Sequence, residues 1–122
     1  MDNKNYQDYF FKKAKSSGYR SRSAFKLIEL NNKFKFLKKG INILDVGSYP
    51  GGWVQVVKEK VKNGKILALD TKKIEKINGI NFINGDFLED KSKEIIIRYF
   101  KSNLDVILSD MASNTTGNKN LD

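Results

Sequence analysis

Four acidic residues, Asp45, Asp70, Asp86 and Asp110, each stand at the end of a short apolar run or just beyond it. The first run leads directly into a glycine-rich loop, DVGSYPGGW at 45–53. A carboxylate at one strand end is commonly a helix cap or a turn residue. Four in succession are expected to gather along the carboxyl edge of a sheet, where open α/β folds bind their ligands.

The loop defines the ligand further. A dinucleotide loop needs glycine at its first, third and sixth positions, the third so that backbone can approach a pyrophosphate. Counted from Gly47, the third position is Tyr49 and the sixth is Gly52. No GlyLysSer or GlyLysThr follows, so the mononucleotide phosphate loop is absent as well. The loop suits a ligand that lies close on the backbone and brings no phosphate there, as S-adenosylmethionine does. Asp70 is then placed to accept from ribose hydroxyls, and Asp86 to reach the adenine amino group. A generic strand–turn–helix with tight packing is the alternative.

The elements that must position these residues can be read from the pattern. Residues 8–15 suggest a short basic helix, broken by the SerSerGly at 16–18. A second helix is expected over 21–33, with Ala24, Leu27, Leu30 and Phe34 facing a core and Arg22, Lys26, Glu29 and Lys33 on its polar face. From residue 41 the rhythm changes. Strands are expected over 41–47, 65–70, 80–86 and 104–110, with helices over 53–61 and 89–101. Strands alternating with helices imply a parallel sheet with right-handed crossovers.

Composition excludes several chemistries. With 122 residues the chain is one domain. It has no Cys and no His, which removes disulfides, thiolate or imidazole metal sites and both Ser-His-Asp and Cys-His catalysis. No metal is expected. No apolar run approaches the roughly 20 residues of a membrane span, and no signal-peptide layout is visible. The net charge is +9. Residues 1–40 hold 11 Lys or Arg against 3 Asp or Glu, so the positive field sits on the N-terminal third. A polyanion is the natural partner.

Taken together, GYRSRSAFKLIEL, DVGSYPGGW, ALD, NGDF and SDMASN, in that order and spacing, resemble the FtsJ/RrmJ family of ribosomal RNA 2′-O-ribose methyltransferases. The resemblance runs from about residue 6 to 117. It implies a Rossmann-like, S-adenosylmethionine-dependent methyltransferase fold. The implied acceptor is a ribose 2′-hydroxyl of large-subunit ribosomal RNA, met as RNA or as the large ribosomal subunit. Donor binding is implied at Gly51 and Trp53 of PGGW, at Asp70, Asp86 and Asp110, and along the loop at Gly47 and Gly52. The family's catalytic set is a Lys-Asp-Lys-Glu tetrad, whose first Lys matches Lys26 and whose Asp matches Asp110. Two departures stand out. Ser48 and Tyr49 replace small alanines, and Ser113 replaces a proline.

The family's sheet runs 3-2-1-4-5-7-6, and four strands are read here. A sheet truncated after its fourth strand is therefore expected. The second Lys and the Glu are expected in a missing C-terminal half. Residues 1–40 form the basic, RNA-facing helical segment of the domain and residues 41–122 its incomplete donor-binding core. Lys12, Lys13, Lys15, Arg20, Arg22 and Lys26 are the expected RNA contacts, interleaved with Tyr9, Phe10 and Tyr19, some of which pack on the domain. The expected location is the cytoplasm or an organelle with its own ribosomes. Two other readings remain: an inactive fragment acting as an RNA-binding module, and a nucleotide-dependent oxidoreductase, which Tyr49 disfavours.

Overall fold

A computed structural model describes residues 3–101 and 103–110, with side chains from residue 8 onward. The helices and strands follow in the order α1 (Asn3–Ser17), α2 (Ser23–Phe34), β1 (Ile43–Val46), α3 (Gly52–Lys60), β2 (Ile66–Asp70), β3 (Asn81–Asn84), α4 (Asp90–Phe100) and β4 (Val106–Ser109). Every expected helix and strand is present. The first helix begins earlier than its pattern suggested.

The four strands form one parallel sheet in the order β3-β2-β1-β4. β1 lies inside it and all four of its residues are buried. This explains why its sequence reads as a continuous apolar run rather than an alternation. Side chains alternate across the sheet. Ile43, Ile66 and Ala68 join Ala24 and Leu27 of α2 and Trp53, Val54, Val56 and Val57 of α3 in one core. Leu44, Val46, Leu67 and Leu69 join Ile96 and Phe100 of α4 in a second. The sheet is thus covered on both faces. Among the described residues β4 is an edge, and its Ile107 is exposed.

Two sequence expectations need correction. Phe34 does not face the core and is 61% exposed, with the Lys33 ammonium 5.4 Å from its ring centroid. α2 ends there, and Lys35 turns the chain away in the left-handed region at φ 54°. The buried stripe is Ala24, Leu27 and Asn31 instead, with Leu30 only partly covered. Asn31 has a polar duty: its Oδ1 accepts from the Leu37 N–H at 2.8 Å and its carbonyl from the Lys35 N–H at 2.7 Å. It fixes the path from α2 toward β1. Asp45, for its part, is not on the rim with the other three acids. It is the third residue of β1 and lies between Ala68 and Leu108 of the flanking strands.

Asn31→Ala leaves the buried Leu37 N–H without its acceptor. A loss of about 1–3 kcal/mol is expected in urea denaturation. Phe34→Ser should stay within about 0.5 kcal/mol. An Asn31→Ala chain as stable as the parent would show that the 35–37 turn does not depend on this bond.

Candidate functional site

The turn between β1 and α3 is tied down from two directions. From the sheet side, the N–H groups of Gly47 and Ser48 donate to the Leu69 carbonyl at 2.8 and 3.1 Å. The Ser48 hydroxyl donates to the Asp45 carbonyl at 2.7 Å and accepts from the Leu69 N–H at 3.3 Å. The Tyr49 N–H donates to Asp70 Oδ2 at 2.7 Å. The Tyr49–Pro50 peptide is cis.

From the other side comes the segment leading into α2. The Arg20 guanidinium donates through Nη1 to the carbonyls of Pro50 and Glu75 at 3.1 and 2.7 Å, and through Nη2 to that of Lys76 at 3.1 Å. It thereby staples the glycine turn to the loop after β2. The Arg20 N–H donates to Gln55 Oε1 at 2.7 Å, and Gln55 Nε2 donates to the Gly18 carbonyl at 3.0 Å. Trp53 Nε1 donates to the Ser23 carbonyl at 2.8 Å. Tyr19 donates to Glu59 at 2.7 Å, and burial with that carboxylate pushes its hydroxyl up to about 12. The approach is close enough to require both glycines of the turn. Gly51 sits at φ 115°, and a Cβ there would be 3.1 Å from Arg20 Nη1. A Cβ on Gly52 would run into Ser21 Oγ.

Two shallow depressions open beside Gly47. One is lined by Val46, Leu69, Asp70, Thr71, Gly85, Asp86 and Phe87. The other takes in Ser21, Ser23, Asp45, Ser48, Tyr49, Pro50, Gly52, Trp53 and Asp110. Because Gly47 lines both, an extended ligand can lie across its bare backbone with one end in each.

Of the expected donor-site residues, Gly47, Gly52, Trp53, Asp70, Asp86 and Asp110 line these two hollows, whereas Gly51 lines neither and lies against Arg20. Asp70 already accepts the Lys72 N–H at 2.9 Å in addition to that of Tyr49. Asp86 accepts the Leu88 N–H at 2.9 Å ahead of α4. Both acids thus also have a turn-stabilising duty, and their remaining lone pairs are what a ligand can use. Lys26 Nζ lies 3.3 Å from Asp110 Oδ1, a contact that closes 84 residues of sequence. Tyr49 is half exposed, with the Lys72 ammonium 5.2 Å from its ring centroid. Ser113 lies outside the described residues.

The basic residues divide. Lys12, Lys13, Lys15, Arg22 and Lys26 are exposed. Arg20 was expected among the phosphate contacts, yet three of its donors are committed to backbone carbonyls. Lys13 lies over the rings of Tyr9 and Phe25, 6.0 and 5.2 Å from their centroids. Phe10, Phe25 and Tyr19 stack edge-to-face or tilted between α1 and α2, at 5.5–5.7 Å centroid separations. Tyr9 and Phe11 are left more than half exposed.

Sequence reasoning missed the state of Asp45. It is 2% exposed, and its Oδ2 has no hydrogen-bond partner among the described residues. Burial pushes its carboxyl up to about 7, opposed by the Ser48 hydroxyl and reinforced by the charges of Asp110 and Asp70. The available signal was an acid inside an apolar strand that is covered on both faces.

The FtsJ-like methyltransferase family matches residues 19–122. The chain is 45% identical over 120 residues to ribosomal RNA large subunit methyltransferase E of Pelagibacter ubique, covering 98% of this chain and 59% of that protein. The same-named protein of Rickettsia akari is 42% identical over 121 residues, covering 94% of this chain and 53% of its own length. A crystal structure of a ribosomal RNA methyltransferase from Plasmodium falciparum superposes with a TM-score of 0.72 at 42% identity, over 82% of this chain and 60% of that one. The chain thus spans between half and three fifths of the length of these relatives. The dinucleotide-dependent oxidoreductase reading is set aside.

Asp45 gives stability a distinctive pH dependence. Its folded value, about 7, lies above its ordinary value of 3.8, so the folded state holds the proton more tightly. The associated stability is complete below about pH 4 and is lost as pH rises toward 7. Asp45→Asn keeps the shape without the charge. Relative to the parent it should gain stability between pH 5 and 8, by up to about 4 kcal/mol. Parallel denaturation curves for the two proteins across that range would place Asp45 outside the buried site described.

Proposed function

The chain belongs to the FtsJ-like methyltransferase family, and from that premise we propose that it forms the donor-binding part of an S-adenosylmethionine-dependent methyltransferase. Its acceptor would be a ribose 2′-hydroxyl of large-subunit ribosomal RNA. The observation that carries this reading is the Lys26–Asp110 pair, whose Asp110 lines the glycine-turn hollow. A cation and a carboxylate held at 3.3 Å beside a phosphate-free nucleoside site suit the orientation of a hydroxyl nucleophile.

The chemistry of the hollows fits the donor. Asp70 and Asp86 line the side suited to ribose and adenine, and Asp45, Asp110 and Trp53 the side suited to a cationic methionine end. S-adenosylmethionine, when bound, supplies a methyl group on sulfonium. What this chain's residues supply is position, which can account for much of the rate of an in-line displacement. Lys26 can donate to the hydroxyl oxygen while Asp110 accepts the hydroxyl hydrogen. The hydroxyl proton lost in the transfer would pass to a base, the role of the second Lys that the family resemblance implies.

RNA would approach from the N-terminal segment, residues 1–40. Lys12, Lys13, Lys15 and Arg22 are the phosphate contacts favoured by exposure, with Tyr9 and Phe11 available for stacking. Lys26 adjoins this surface through α2 and links it to the hollow. Among the described residues no helix is long and apolar enough to cross a membrane. We assign the protein to the cytoplasm or to an organelle with ribosomes of its own.

S-adenosylmethionine should raise the melting temperature of the chain while NAD leaves it unchanged. In the full-length protein, Lys26→Ala should lower methyl transfer to large-subunit RNA by about a hundredfold while leaving donor affinity nearly intact. A full-length protein that binds the donor but methylates no ribosomal RNA would overturn the enzymatic reading and leave an RNA-binding one. RNA affinity should fall steeply with salt, and Lys12→Ala with Lys15→Ala should flatten the log–log slope by about 0.7 per lost phosphate contact. A salt-independent affinity would remove the ionic surface from the argument.

A further inference from the structure

We propose that Tyr49 and Lys72 form a platform for one nucleotide of the RNA acceptor, with a base stacked on the tyrosine ring and its phosphate paired with the lysine ammonium. The inference rests on the RNA methyltransferase reading above. It adds two residues that lie outside the basic N-terminal surface. Tyr49 departs from the small alanine of the family pattern and Lys72 lies beyond its ALD motif, so the platform belongs to this chain in particular.

Main-chain bonds assemble the pair. One carboxylate fixes both members: Asp70 Oδ2 accepts the Tyr49 N–H at 2.7 Å, and Oδ1 accepts the Lys72 N–H at 2.9 Å. The Lys72 ammonium then stands 5.2 Å from the Tyr49 ring centroid. Arg20 holds the same two segments together from the other side. It donates to the carbonyl of Pro50, next to Tyr49, and to those of Glu75 and Lys76 in the loop that carries Lys72. The ring is therefore displayed on an anchored backbone, yet it is 50% exposed. It lines the hollow that also takes in Asp110, the partner of Lys26. A nucleotide on the ring adjoins the hollow where the acceptor hydroxyl is to be oriented.

The chemistry of the pair selects its occupant. An aromatic face beside a cation suits a base together with its phosphate, the two halves of a splayed-out RNA nucleotide. The methyl donor suits this place poorly. It brings no phosphate, and its methionine end carries positive charge that the Lys72 ammonium repels. The rest of the loop favours a polyanion as well. Residues 71–79 hold Lys72, Lys73 and Lys76 against the one acid Glu75, and all four are exposed. Because Arg20 directly follows the segment after α1, its bonds to this loop join the loop's lysines to the basic surface of the N-terminal helices.

Tyr49→Ala keeps the main-chain bond to Asp70 and should melt with the parent. The test measures the affinity of the full-length protein, with S-adenosylhomocysteine bound, for two probes. One is a short single-stranded oligoadenylate, and the other is the same strand with abasic sites in place of its bases. Tyr49→Ala should lose about tenfold in affinity for oligoadenylate and nothing for the abasic strand. Tyr49→Trp should restore the loss. Lys72→Gln should weaken both strands and lower the log–log salt slope by about 0.7. In methyl transfer, Tyr49→Ala should raise KM for large-subunit ribosomal RNA and leave KM for the donor unchanged. Equal losses on the two strands, or no loss on either, overturn the stacking role. Weakened donor binding with unchanged RNA affinity assigns the ring to the donor and overturns the inference while the methyltransferase reading stands. A parent that binds neither strand and methylates no ribosomal RNA overturns that reading itself.

Discussion

The glycine turn after β1 has to lie in contact with the segment that enters α2, and most of the site follows from that approach. The contact leaves no room for a side chain at 52, and a φ of 115° reserves 51 for glycine. It allows the Arg20 guanidinium to span the Pro50 carbonyl and the loop after β2. It also brings the Trp53 indole to the Ser23 carbonyl. Through these bonds the turn is held by the helical segment and by the sheet together. The same docking sets α2 over the sheet edge, where Lys26 meets Asp110 from beyond β4. A pair separated by 84 residues thus owes its geometry to a turn to which neither member belongs.

Much of this was legible in the residues. β1 and β2 announced themselves because a strand covered on both faces is largely apolar, and the helices because their apolar residues recur at helical spacing. The glycine turn was legible because only glycine tolerates both a positive φ and a Cβ-free approach. What escaped depends on where the chain goes next. Phe34 fits the helical stripe, but the stripe stops counting once Lys35 leaves the helix. Arg20 reads as one more basic residue in a basic segment, and nothing local reveals three carbonyls from residues 30 to 56 positions away. Asp45 reads as a strand-end acid because it is the last polar residue before the glycine turn, although Val46 still belongs to the strand and leaves the carboxyl in the interior.

The division among the basic residues has a physical logic. A guanidinium is a planar fork suited to several acceptors at fixed angles, and at Arg20 it serves as an internal brace. The lysines of α1 are flexible point charges suited to a phosphate surface whose contacts need no fixed geometry. The aromatic cluster of Phe10, Phe25 and Tyr19 attaches that basic helix to the domain. The positive field and the hollow are therefore parts of one body.

Asp45 is where stability and ligand binding pull apart. A central strand flanked by Ala68 and Leu108 would be better served by an apolar residue, since an isolated carboxyl there must either stay protonated or go unpaired. The two neighbouring acids make ionisation harder still. Asp110 moderates that field because Lys26 partly neutralises it, and Asp70 because its oxygens are shared with two main-chain N–H groups. Asp45 has only the Ser48 hydroxyl to ease it. The cost of that carboxyl is therefore paid in the stability of the central strand.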